Sequence, residues 1–365
     1  MDYNAIRRKS RAVKVGALTI GGEHKISIQS MTNTDPHDIE ATYKQVLELE
    51  AARCDIIRLT VPDEASAEIF RILKSRGINT PLVADVHFSH KIAVAAVRAG
   101  ADKLRINPGN IGSRDKIREV VSACKEYGVP IRIGVNSGSL EEDILKKYGA
   151  PTPEALVESA LRHEAILGEL DFHDTVISVK SSSTYNMLVA NRILKEKTDT
   201  PLHLGVTEAG AGSSAIIKSS IGIGTLLSEG IGDTVRVSLT ANPIDEVRAA
   251  REILSALDIG EASGVDIISC PTCGRTKIDL ISLCSRFKST LEDEGLDNLS
   301  IKVALMGCAV NGPGEAREAD IGIAGGDGCA VLFKKGEIVG KISESEIIPT
   351  LIKEIKNIKQ GPSKA

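Results

Sequence analysis

The sequence is poor in aromatic residues. Phe, Tyr and Trp together make up 3% of its 365 residues, Trp is absent, and the formal net charge is -4. A protein surface that binds nucleic acid usually combines a basic patch with aromatic side chains that stack on the bases. The composition therefore argues against a nucleic-acid partner.

Long apolar runs are also missing. No run approaches the roughly 20 residues needed to cross a bilayer, and the basic segment Arg7-Arg8-Lys9-Ser10-Arg11 is not followed by the apolar stretch of a secretory signal. We interpret this segment as a solvated arm. The seven cysteines are irregularly spaced, which fits a reducing compartment better than a disulfide scaffold. We expect a cytoplasmic protein without a membrane partner.

Short β-rich runs alternate with longer amphipathic stretches over the first two thirds of the chain. Because parallel strands are joined through helices, this alternation predicts an α/β fold, and the length used favours an eight-stranded α/β (TIM) barrel. An open doubly wound sheet is the alternative. Before the first helix, residues 12–29 predict a hairpin that turns at Gly21-Gly22. The runs are 26–30, 56–60, 82–86, 103–106, 131–135, 176–179, 202–206 and 234–238.

A change in composition near residue 260 predicts two domains. A last barrel helix begins at Asn242-Pro243, where Asn is a favourable N-cap and Pro a favourable first residue. We predict a barrel domain at 1–260 that binds the substrate, and a small α+β domain at 265–365. The second domain is predicted to contain a helix at 277–292, strands at 301–305, 320–323 and 330–334, and an amphipathic tail helix.

Cations recur at the predicted carboxyl ends of the barrel strands, where active sites of this fold lie. A buried charge is costly without a counter-charge, so the set predicts a ligand with more than one phosphate, which guanidinium groups bind in a bidentate fork. For any single arginine, a structural ion pair is the alternative, and Lys180 has Schiff-base formation as a second alternative. The cations are Arg58, Arg105, Arg132, Lys180 and Arg236.

Other polar side chains follow the same strands. Asp85, Asn136, Glu208 and Ser238 stand at or just beyond strand ends, and His87 follows Asp85 closely. The remaining histidines that we considered show no ligand spacing, and we interpret them as surface or loop residues. They are His24, His37, His90, His163 and His173.

Three cysteines in the C-terminal part predict a metal site. Cys270 and Cys273 form a Cys-x-x-Cys pair, and Cys308 follows without a second pair. Such thiolates suit an iron–sulfur cluster or zinc, with buried or redox thiols as a further alternative. The missing second pair disfavours a zinc ribbon. Glu315 follows a Gly-Pro-Gly turn able to bring its carboxylate toward Cys308, although a surface glutamate has the same pattern.

Four motifs spread over nearly the whole chain occur together. They are Ile28-Gln-Ser-Met-Thr-Asn-Thr-Asp, Arg105-Ile-Asn-Pro-Gly-Asn-Ile-Gly, Cys270-Pro-Thr-Cys-Gly-Arg and Gly307-Cys-Ala-Val-Asn-Gly-Pro-Gly-Glu. Together they resemble the bacterial 4-hydroxy-3-methylbut-2-enyl diphosphate synthase family of the non-mevalonate (MEP) isoprenoid pathway. The length is similar to that of the two-domain bacterial form.

The resemblance implies an iron–sulfur oxidoreductase. Its substrate would be 2-C-methyl-D-erythritol 2,4-cyclodiphosphate, converted to 4-hydroxy-3-methylbut-2-enyl diphosphate by two-electron reductive ring opening and dehydroxylation. Asp85, Asn136 and Glu208 would lie near the hydroxyl-bearing carbons. The diphosphate would be held by Arg58, Arg105, Arg132, Lys180, Arg236 and Ser238.

The resemblance also implies the cofactor and the partners. One 4Fe-4S cluster per chain would be held in the C-terminal domain by Cys270, Cys273, Cys308 and Glu315. Electrons would come from a separate flavodoxin or ferredoxin, because the chain has no convincing nicotinamide or flavin motif. Members of the family form head-to-tail homodimers in which the cluster domain of one chain closes over the barrel of the other.

Two catalytic hypotheses accompany this assignment. Glu208 is the candidate proton donor to the departing hydroxyl group. Glu315 is a candidate labile ligand, because a carboxylate binds iron in a cluster less firmly than a thiolate does. The cations would stabilise charge on the leaving phosphate oxygen.

Overall fold

The computed structural model describes residues 3–260, 264–297, 299–309 and 318–360. The chain forms two compact units, Met1–Gly260 and Glu261–Ala365, and each has its own sheets and its own apolar core. None of the helices in the described ranges is long and apolar enough to cross a membrane.

The basic N-terminal segment packs against the first unit. Arg7 Nη2 lies 2.7 Å from Asp233 Oδ1, and Arg8 donates to the carbonyl oxygen of Thr200 at 2.7 Å. The side chains of Arg7, Arg8 and Asp233 are 3%, 7% and 2% exposed. The prediction of a solvated arm is therefore wrong. Its partners lie about 190 to 230 residues further along the chain, and local sequence does not reveal them.

A short antiparallel hairpin follows this segment. It consists of β1 (Val13–Val15) and β2 (Leu18–Ile20). The turn lies at Gly16-Ala17, where Gly16 has φ +56°, a left-handed conformation that glycine adopts without a Cβ clash. A hairpin is present as expected, but its predicted turn at Gly21-Gly22 is wrong, since those glycines lie beyond β2.

Eight parallel strands form the large sheet of the first unit. All of the predicted runs correspond to strands, with ends that differ by up to three residues. The strands are β3 (Ser27–Met31), β4 (Ile56–Thr60), β5 (Leu82–Asp85), β6 (Lys103–Ile106), β7 (Ile131–Asn136), β8 (Thr175–Lys180), β9 (His203–Leu204) and β10 (Thr234–Val235).

The sheet closes into a barrel. Its strand order is β8-β7-β6-β5-β4-β3-β10-β9, and a parallel bridge between Ile177 and Leu202 links the two ends of this order. The predicted eight-stranded α/β barrel is confirmed, and the open doubly wound sheet is wrong. Carboxyl ends of all eight strands therefore lie at one end of the barrel.

Side chains of the barrel strands alternate between the helices and the interior. In β6, Leu104 and Ile106 join the apolar core between sheet and helices, whereas Lys103 and Arg105 take the inward positions. The amino end of the interior is closed by the hairpin. One buried cluster there contains Val13, Val15, Ile20, Ile56, Val83 and Val176.

Helices cover the outside of the barrel and begin at clear caps. Asn242 accepts a hydrogen bond from Ile244 N ahead of Pro243, and Ser89, Thr152 and Ser183 cap their helices in the same way. The helices are α1 (Tyr3–Ile6), α2 (Ile39–Ala51), α3 (Ile69–Ser75), α4 (His90–Arg98), α5 (Pro108–Ile111), α6 (Arg114–Tyr127), α7 (Glu142–Tyr148), α8 (Pro153–Gly168), α9 (Thr184–Lys197), α10 (Gly212–Ser228) and α11 (Pro243–Ala256).

In its described residues, the second unit has a five-stranded mixed sheet and two helices. The strand order is the chain order; the first three strands are parallel and the last three pair antiparallel. Apolar faces of both helices share a core with the sheet. The elements are β11 (Val265–Ser269), α12 (Leu280–Asp293), β12 (Ile301–Met306), β13 (Ile321–Gly326), β14 (Cys329–Lys334), β15 (Glu337–Ser343) and α13 (Ile347–Gln360).

Candidate active site

Four cationic side chains converge at the carboxyl end of the barrel. Arg58 of β4, Arg105 of β6 and Lys180 of β8 occupy inward positions, and Arg236 directly follows β10. Arg105 and Lys180 are buried, while the side chains of Arg58 and Arg236 are 12% and 14% exposed. The structure thus brings together four of the five cations that the sequence analysis placed at strand ends.

The fifth cation, Arg132, starts from a deeper position. It is the second residue of β7, so the expected location at a strand end is wrong. Arg132 is nevertheless only 1% exposed, and its charge interacts with the charges of Arg58, Arg105 and Asp85. Burial and the neighbouring cations lower the pKa of Arg132 well below its usual value. Its guanidinium therefore adds to the same positive cluster.

Positive charge is in excess at this end of the barrel. Burial lowers the pKa of Arg58 to about 10 against the opposing effect of Asp85, and Arg236 and Arg105 lower it further. A guanidinium group stays protonated at physiological pH. The lowered pKa therefore reflects an unfavourable electrostatic energy, which a bound anion would relieve. Arg58 also donates to the Met31 sulfur at 2.9 and 3.0 Å, and sulfur is a weak acceptor.

Asp85 is the inward carboxylate of this cluster. Its Oδ1 accepts from Arg105 Nη1 at 3.2 Å, and its Oδ2 lies 3.7 Å from Arg58 Nε and 3.5 Å from His87 Nε2. Burial acts to raise the pKa of Asp85, but the Arg58 charge, the His87 hydrogen bond and the Arg105 charge outweigh it and lower the pKa. Asp85 is therefore an anion that orients two of the cations.

A carboxylate from a helix orients Arg236. Glu246 of α11 accepts from Arg236 Nε at 3.1 Å and from Nη2 at 3.2 Å, which is a bidentate pair. Glu246 is 4% exposed and also accepts from Ser30 Oγ at 2.8 Å and from Leu239 N at 3.1 Å. This pair fixes the Arg236 guanidinium, so Arg236 is held by more contacts than Arg58.

Two glycines make room for the cations. A Cβ atom on Gly134 of β7 would lie 2.5 Å from Arg105 Nε, and a Cβ atom on Gly205 would lie 2.5 Å from the Arg236 carbonyl oxygen and 2.8 Å from Lys180 Nζ. None of these distances is compatible with a side chain at that position. Glycine at these two sites therefore lets the long cationic side chains lie against the strands.

The other predicted site residues lie at the same end of the barrel, with different degrees of exposure. Asn136, the last residue of β7, accepts from Arg105 Nη2 at 3.2 Å when its amide oxygen faces that group. Ser238 is half-buried after β10. Glu208 is exposed and has φ +53°, a left-handed conformation that is uncommon for a non-glycine residue. Such conformations are enriched at functional sites.

One histidine does not fit the expectation of a surface position. His163 of α8 is 1% exposed, and its Nε2 lies 2.9 Å from Glu141 Oε1. Its ring fills the space beside Gly109, where a Cβ atom would lie 2.8 Å from His163 Cε1. The interpretation of His163 as a surface or loop residue is therefore wrong. It supports the segment that follows Arg105 in the chain.

The three cysteines of the second unit follow neighbouring strands. Cys270 comes directly after β11, and Cys308 lies two residues beyond the end of β12. These strands are parallel, with Ser269 opposite Leu305. Because parallel strands end at the same edge of a sheet, the Cys270–Cys273 segment and Cys308 reach the same edge.

Backbone hydrogen bonds connect the cysteine segments. Gly307 N donates to Cys270 Sγ at 3.2 Å, and Lys277 N donates to Gly307 O at 2.9 Å. The backbone hydrogen bond from Arg275 is the largest cause that lowers the pKa of Cys273, whose side chain is exposed. N–H donors to sulfur and easily formed thiolates are features of iron–sulfur ligation. These three residues therefore fit such a centre.

Glu315 lies outside the described residues. Within the described residues, no three His, Cys, Asp or Glu side chains are already grouped as a metal site. Cys54 and Cys124 are buried in the core of the barrel unit, Cys284 is half-buried against the core of the second unit, and Cys329 is half-buried in β14.

Two family models match the chain. The model of the GcpE TIM-barrel domain matches residues 10–251, and the model of the GcpE protein C-terminal domain matches residues 266–357. The chain belongs to the GcpE family. Both matches together include every described residue of the two sites above, and the family predicted from the motifs is confirmed.

Curated relatives of this GcpE-family chain are similar over almost their whole length. A protein from Clostridium perfringens is 55% identical, covering 96% of this chain and 99% of the relative. Another from Clostridium tetani is 56% identical with the same coverage. One from Fusobacterium nucleatum is 53% identical, covering 96% and 98%. Each is named 4-hydroxy-3-methylbut-2-en-1-yl diphosphate synthase (flavodoxin).

Solved structures with a similar barrel are distant from this GcpE-family chain. A type I 3-dehydroquinate dehydratase from Clostridium difficile has a TM-score of 0.49 at 18% identity and covers 68% of this chain and 98% of its own. A dihydropteroate synthase from Stenotrophomonas maltophilia has a TM-score of 0.49 at 16% identity, with 67% and 98% covered. Likeness at this level carries no information about function.

Glu246 was missed by the sequence analysis of this GcpE-family chain. It lies among the buried residues of α11, beside Val247 and Ala250. A glutamate on the apolar face of a helix is rarely buried without a partner, and this is the signal that sequence analysis had available. Its partner, Arg236, is identified only by the packing of α11 on the barrel.

Proposed function

We propose that this chain is a 4-hydroxy-3-methylbut-2-en-1-yl diphosphate synthase. It converts 2-C-methyl-D-erythritol 2,4-cyclodiphosphate to 4-hydroxy-3-methylbut-2-enyl diphosphate by two-electron reductive ring opening and dehydroxylation. The observation that carries this proposal is the excess of inward-facing cations at the carboxyl end of the barrel, in a chain that belongs to the GcpE family. A dianionic cyclic diphosphate provides the counter-charge that this end of the barrel lacks.

The barrel residues bind and orient the diphosphate in this proposal. Arg58 and Arg132 have donors that are weakly engaged or unengaged among the described residues, and they grip phosphate oxygens. Arg105 and Arg236 are already oriented by Asp85 and Glu246. Lys180 and Ser238 add single donors. Fixed cations of this kind stabilise charge that develops on the leaving phosphate oxygen.

We assign proton transfer to a residue on the side of the substrate opposite to the buried cations. Glu208 is exposed at the rim, where its carboxyl group has access to bulk water for reprotonation. We propose that it donates the proton with which the hydroxyl group leaves as water. Asp85 and Asn136 orient the hydroxyl-bearing carbons through the Arg105 network.

We further propose one 4Fe-4S cluster per chain, held by Cys270, Cys273, Cys308 and Glu315. The hydrogen bond from Gly307 N to Cys270 Sγ and the shared sheet edge of the cysteines support this ligand set. When bound, such a cluster supplies electrons one at a time. Glu315 is the ligand that we expect to be labile, because a carboxylate holds this iron less firmly than a thiolate does.

The partners follow from the same proposal. A flavodoxin is the proposed electron donor, in line with the names of the curated relatives, and a ferredoxin is the alternative donor. The working assembly is a head-to-tail homodimer. We place the enzyme in the cytoplasm, because its cysteines form no disulfide in the structure, which fits a reducing compartment.

Anaerobic purification followed by a turnover assay tests this function. We expect about four iron and four sulfide ions per chain, and formation of 4-hydroxy-3-methylbut-2-enyl diphosphate with reduced flavodoxin. A colourless protein with one zinc ion, or a cluster-loaded protein without turnover, would contradict the proposal.

A variant pair separates the barrel site from the cluster. Arg58→Ala is expected to raise the KM for the cyclic diphosphate without changing iron content. Arg71→Ala is the matched control, because Arg71 is an exposed arginine paired only with Glu68 among the described residues. An unchanged KM in Arg58→Ala would remove Arg58 from the diphosphate site.

A further inference from the structure

A buried lysine lies below the strand-end cations. Lys103 is the first residue of β6, two positions before Arg105 on the same inward face, and it is 0% exposed. Within the described part of the chain, its Nζ atom has no hydrogen-bond partner. The charges that act on it most strongly are those of Arg132 on β7 and Arg58 on β4.

Charged and titratable groups from the other strands face the same interior. Asp85, the inward carboxylate among the described strand residues, is already engaged by Arg58 and Arg105, which leaves Lys103 without a counter-charge there. The groups are Arg58 of β4, Asp85 of β5 with His87 beyond it, Arg105 of β6, Arg132 of β7, Lys180 of β8, His203 of β9 and Arg236 next to β10.

An ammonium group is unfavourable in this place. It would be buried among cations with no acceptor for its protons, and such a group stays in its uncharged form instead. Burial, Arg132 and Arg58 accordingly lower the pKa of Lys103 well below its usual value. Burial, Arg132 and Arg58 also lower the pKa of His203. The layer of inward residues below the strand-end cations therefore contains several groups in their neutral forms.

Anion binding above this layer reduces the positive potential at Lys103. Two residues along a strand span about 6.6 Å, so a diphosphate held by Arg105 lies on the order of 8 Å from Lys103. At that distance and an effective dielectric constant of ~20, two negative charges favour protonation of the amine by on the order of a thousandfold.

We propose that Lys103 is a proton-uptake site coupled to the diphosphate site above it. Its amine is uncharged in the free protein and takes one proton from solvent when the cyclic diphosphate binds. The identity of the ligand rests on the proposed function. Because binding takes up a proton, affinity falls as pH rises, by at most about tenfold per pH unit for one proton.

Calorimetric titration of the anaerobically purified full-length protein tests the coupling. The heat of binding is measured in two buffers with different ionisation enthalpies, which gives the number of protons taken up. The cyclic diphosphate has only strongly acidic phosphodiester groups and contributes no proton of its own. Lys180, also buried with a lowered pKa, contributes separately, so the informative quantity is a difference between variants.

We expect the wild type to take up about one proton more than Lys103→Met. Methionine removes no hydrogen bond at this position, so the variant should fold. Lys14→Met is the control, because Lys14 is exposed on β1, and it should keep the wild-type number. Equal uptake in wild type and Lys103→Met overturns the proposal while leaving the proposed function intact.

Nitrogen NMR of lysine-labelled free protein gives a readout that needs no turnover. The resonance that disappears in Lys103→Met should have the shift of an uncharged amine at neutral pH, and it should move toward that of an ammonium on addition of sulfate as a divalent anion. An ammonium resonance in the free protein overturns the proposal. Failure of the cyclic diphosphate to bind would contradict the proposed function alone.

Discussion

At the scale of single residues, the site depends on space as much as on charge. Arg105 is positioned by Asp85 and Asn136, and it also needs the missing side chain of Gly134. A guanidinium group that must bind in a fixed geometry loses its effect when it is displaced by an ångström. The glycine therefore matters for function although it touches no ligand.

Gly134→Ala tests this requirement. The added Cβ atom would lie 2.5 Å from Arg105 Nε, so Arg105 must move, and we expect kcat/KM for the cyclic diphosphate to fall by roughly tenfold to a hundredfold. Gly138→Ala, with no atom within 4 Å of the new Cβ, is the matched control. Steady-state kinetics measure both variants, and equal values of kcat/KM would contradict the assigned role.

Inward cations were predictable from sequence because strands alternate. Arg58, Arg105 and Lys180 each interrupt a β-rich run, and such a residue in a barrel strand faces the interior when its neighbours are apolar. The depth of Arg132 was also predictable, because the predicted run 131–135 begins at the same residue as β7 and already places Arg132 second in the strand. The burial of His163 depends on α8 packing near Gly109, which no local pattern encodes.

At the scale of elements, the N-terminal arm is part of the barrel structure. Asp233, which follows the end of α10, accepts from Arg7, from Ser10 Oγ at 2.8 Å and from Leu202 N at 2.7 Å. These bonds join the arm to the start of β9 and β10. The ion pairs are buried, so the loss of one partner leaves a charge without compensation.

Asp233→Ala should therefore destabilise the protein strongly. Loss of the carboxylate leaves the buried Arg7 and Arg8 without their counter-charge. We therefore expect a decrease of about 3–5 kcal/mol in the free energy of unfolding. Urea denaturation followed by circular dichroism measures the change. Asp199→Ala serves as control, because Asp199 is 69% exposed and its pair with Arg11 should contribute about 1 kcal/mol or less. A similar small effect in both variants would argue against the structural role of the arm.

The Cys270–Cys273 segment also depends on a close approach between elements. A Cβ atom on Gly307 would lie 2.8 Å from Thr276 Cγ2, which would push this segment away from the end of β12. We expect Gly307→Ala to retain clearly less iron and sulfide per chain than the wild type after anaerobic reconstitution.

Gly274→Ala is the control for this measurement. Gly274 lies in the same segment, and a Cβ atom there meets nothing within 4 Å. Iron and sulfide analysis of both variants, with the wild type, gives the comparison. If Gly307→Ala binds as much iron as Gly274→Ala, the contact with Thr276 does not hold the ligand segment.

Elements with a buried apolar face were predictable, and exposed ones were not. The eight barrel strands and α12 each carry apolar residues at the spacing of a strand or a helix that packs one face on a core. β15 has mostly exposed residues, and β11 has no buried residue. Both lie at edges of the second sheet, where pairing on one side replaces apolar packing as the source of strand structure. Sequence periodicity indicates apolar packing, and it does not indicate strands that are formed by edge pairing alone.

At the scale of the whole molecule, the proposed substrate-binding residues and the cysteines belong to different compact units. A head-to-tail homodimer would form each active site from the barrel of one protomer and the cysteine unit of its partner. This assembly predicts complementation between two variants with different defects, measured at a substrate concentration well below the raised KM of Arg58→Ala. Arg58→Ala weakens diphosphate binding in the barrel, and Cys308→Ser removes a proposed cluster ligand.

Refolded or co-expressed mixtures of these two variants test the assembly. In a head-to-tail dimer, one of the two sites in each heterodimer has both intact parts, so we expect about a quarter of wild-type activity from random pairing. In a site built from one chain, no such restoration occurs. Each variant alone, at the same total concentration, is the control.

The hairpin β1–β2 has a kinetic consequence. Its residues Val13, Val15 and Ile20 pack into the amino end of the barrel, so the interior is accessible only from the carboxyl end. Molecules that arrive and molecules that depart must use the same opening, and a second substrate cannot enter behind a product that has not yet left. Because the product keeps the diphosphate and needs the same opening and the same cations as the substrate, it should inhibit competitively in steady-state kinetics, and a noncompetitive pattern would contradict this.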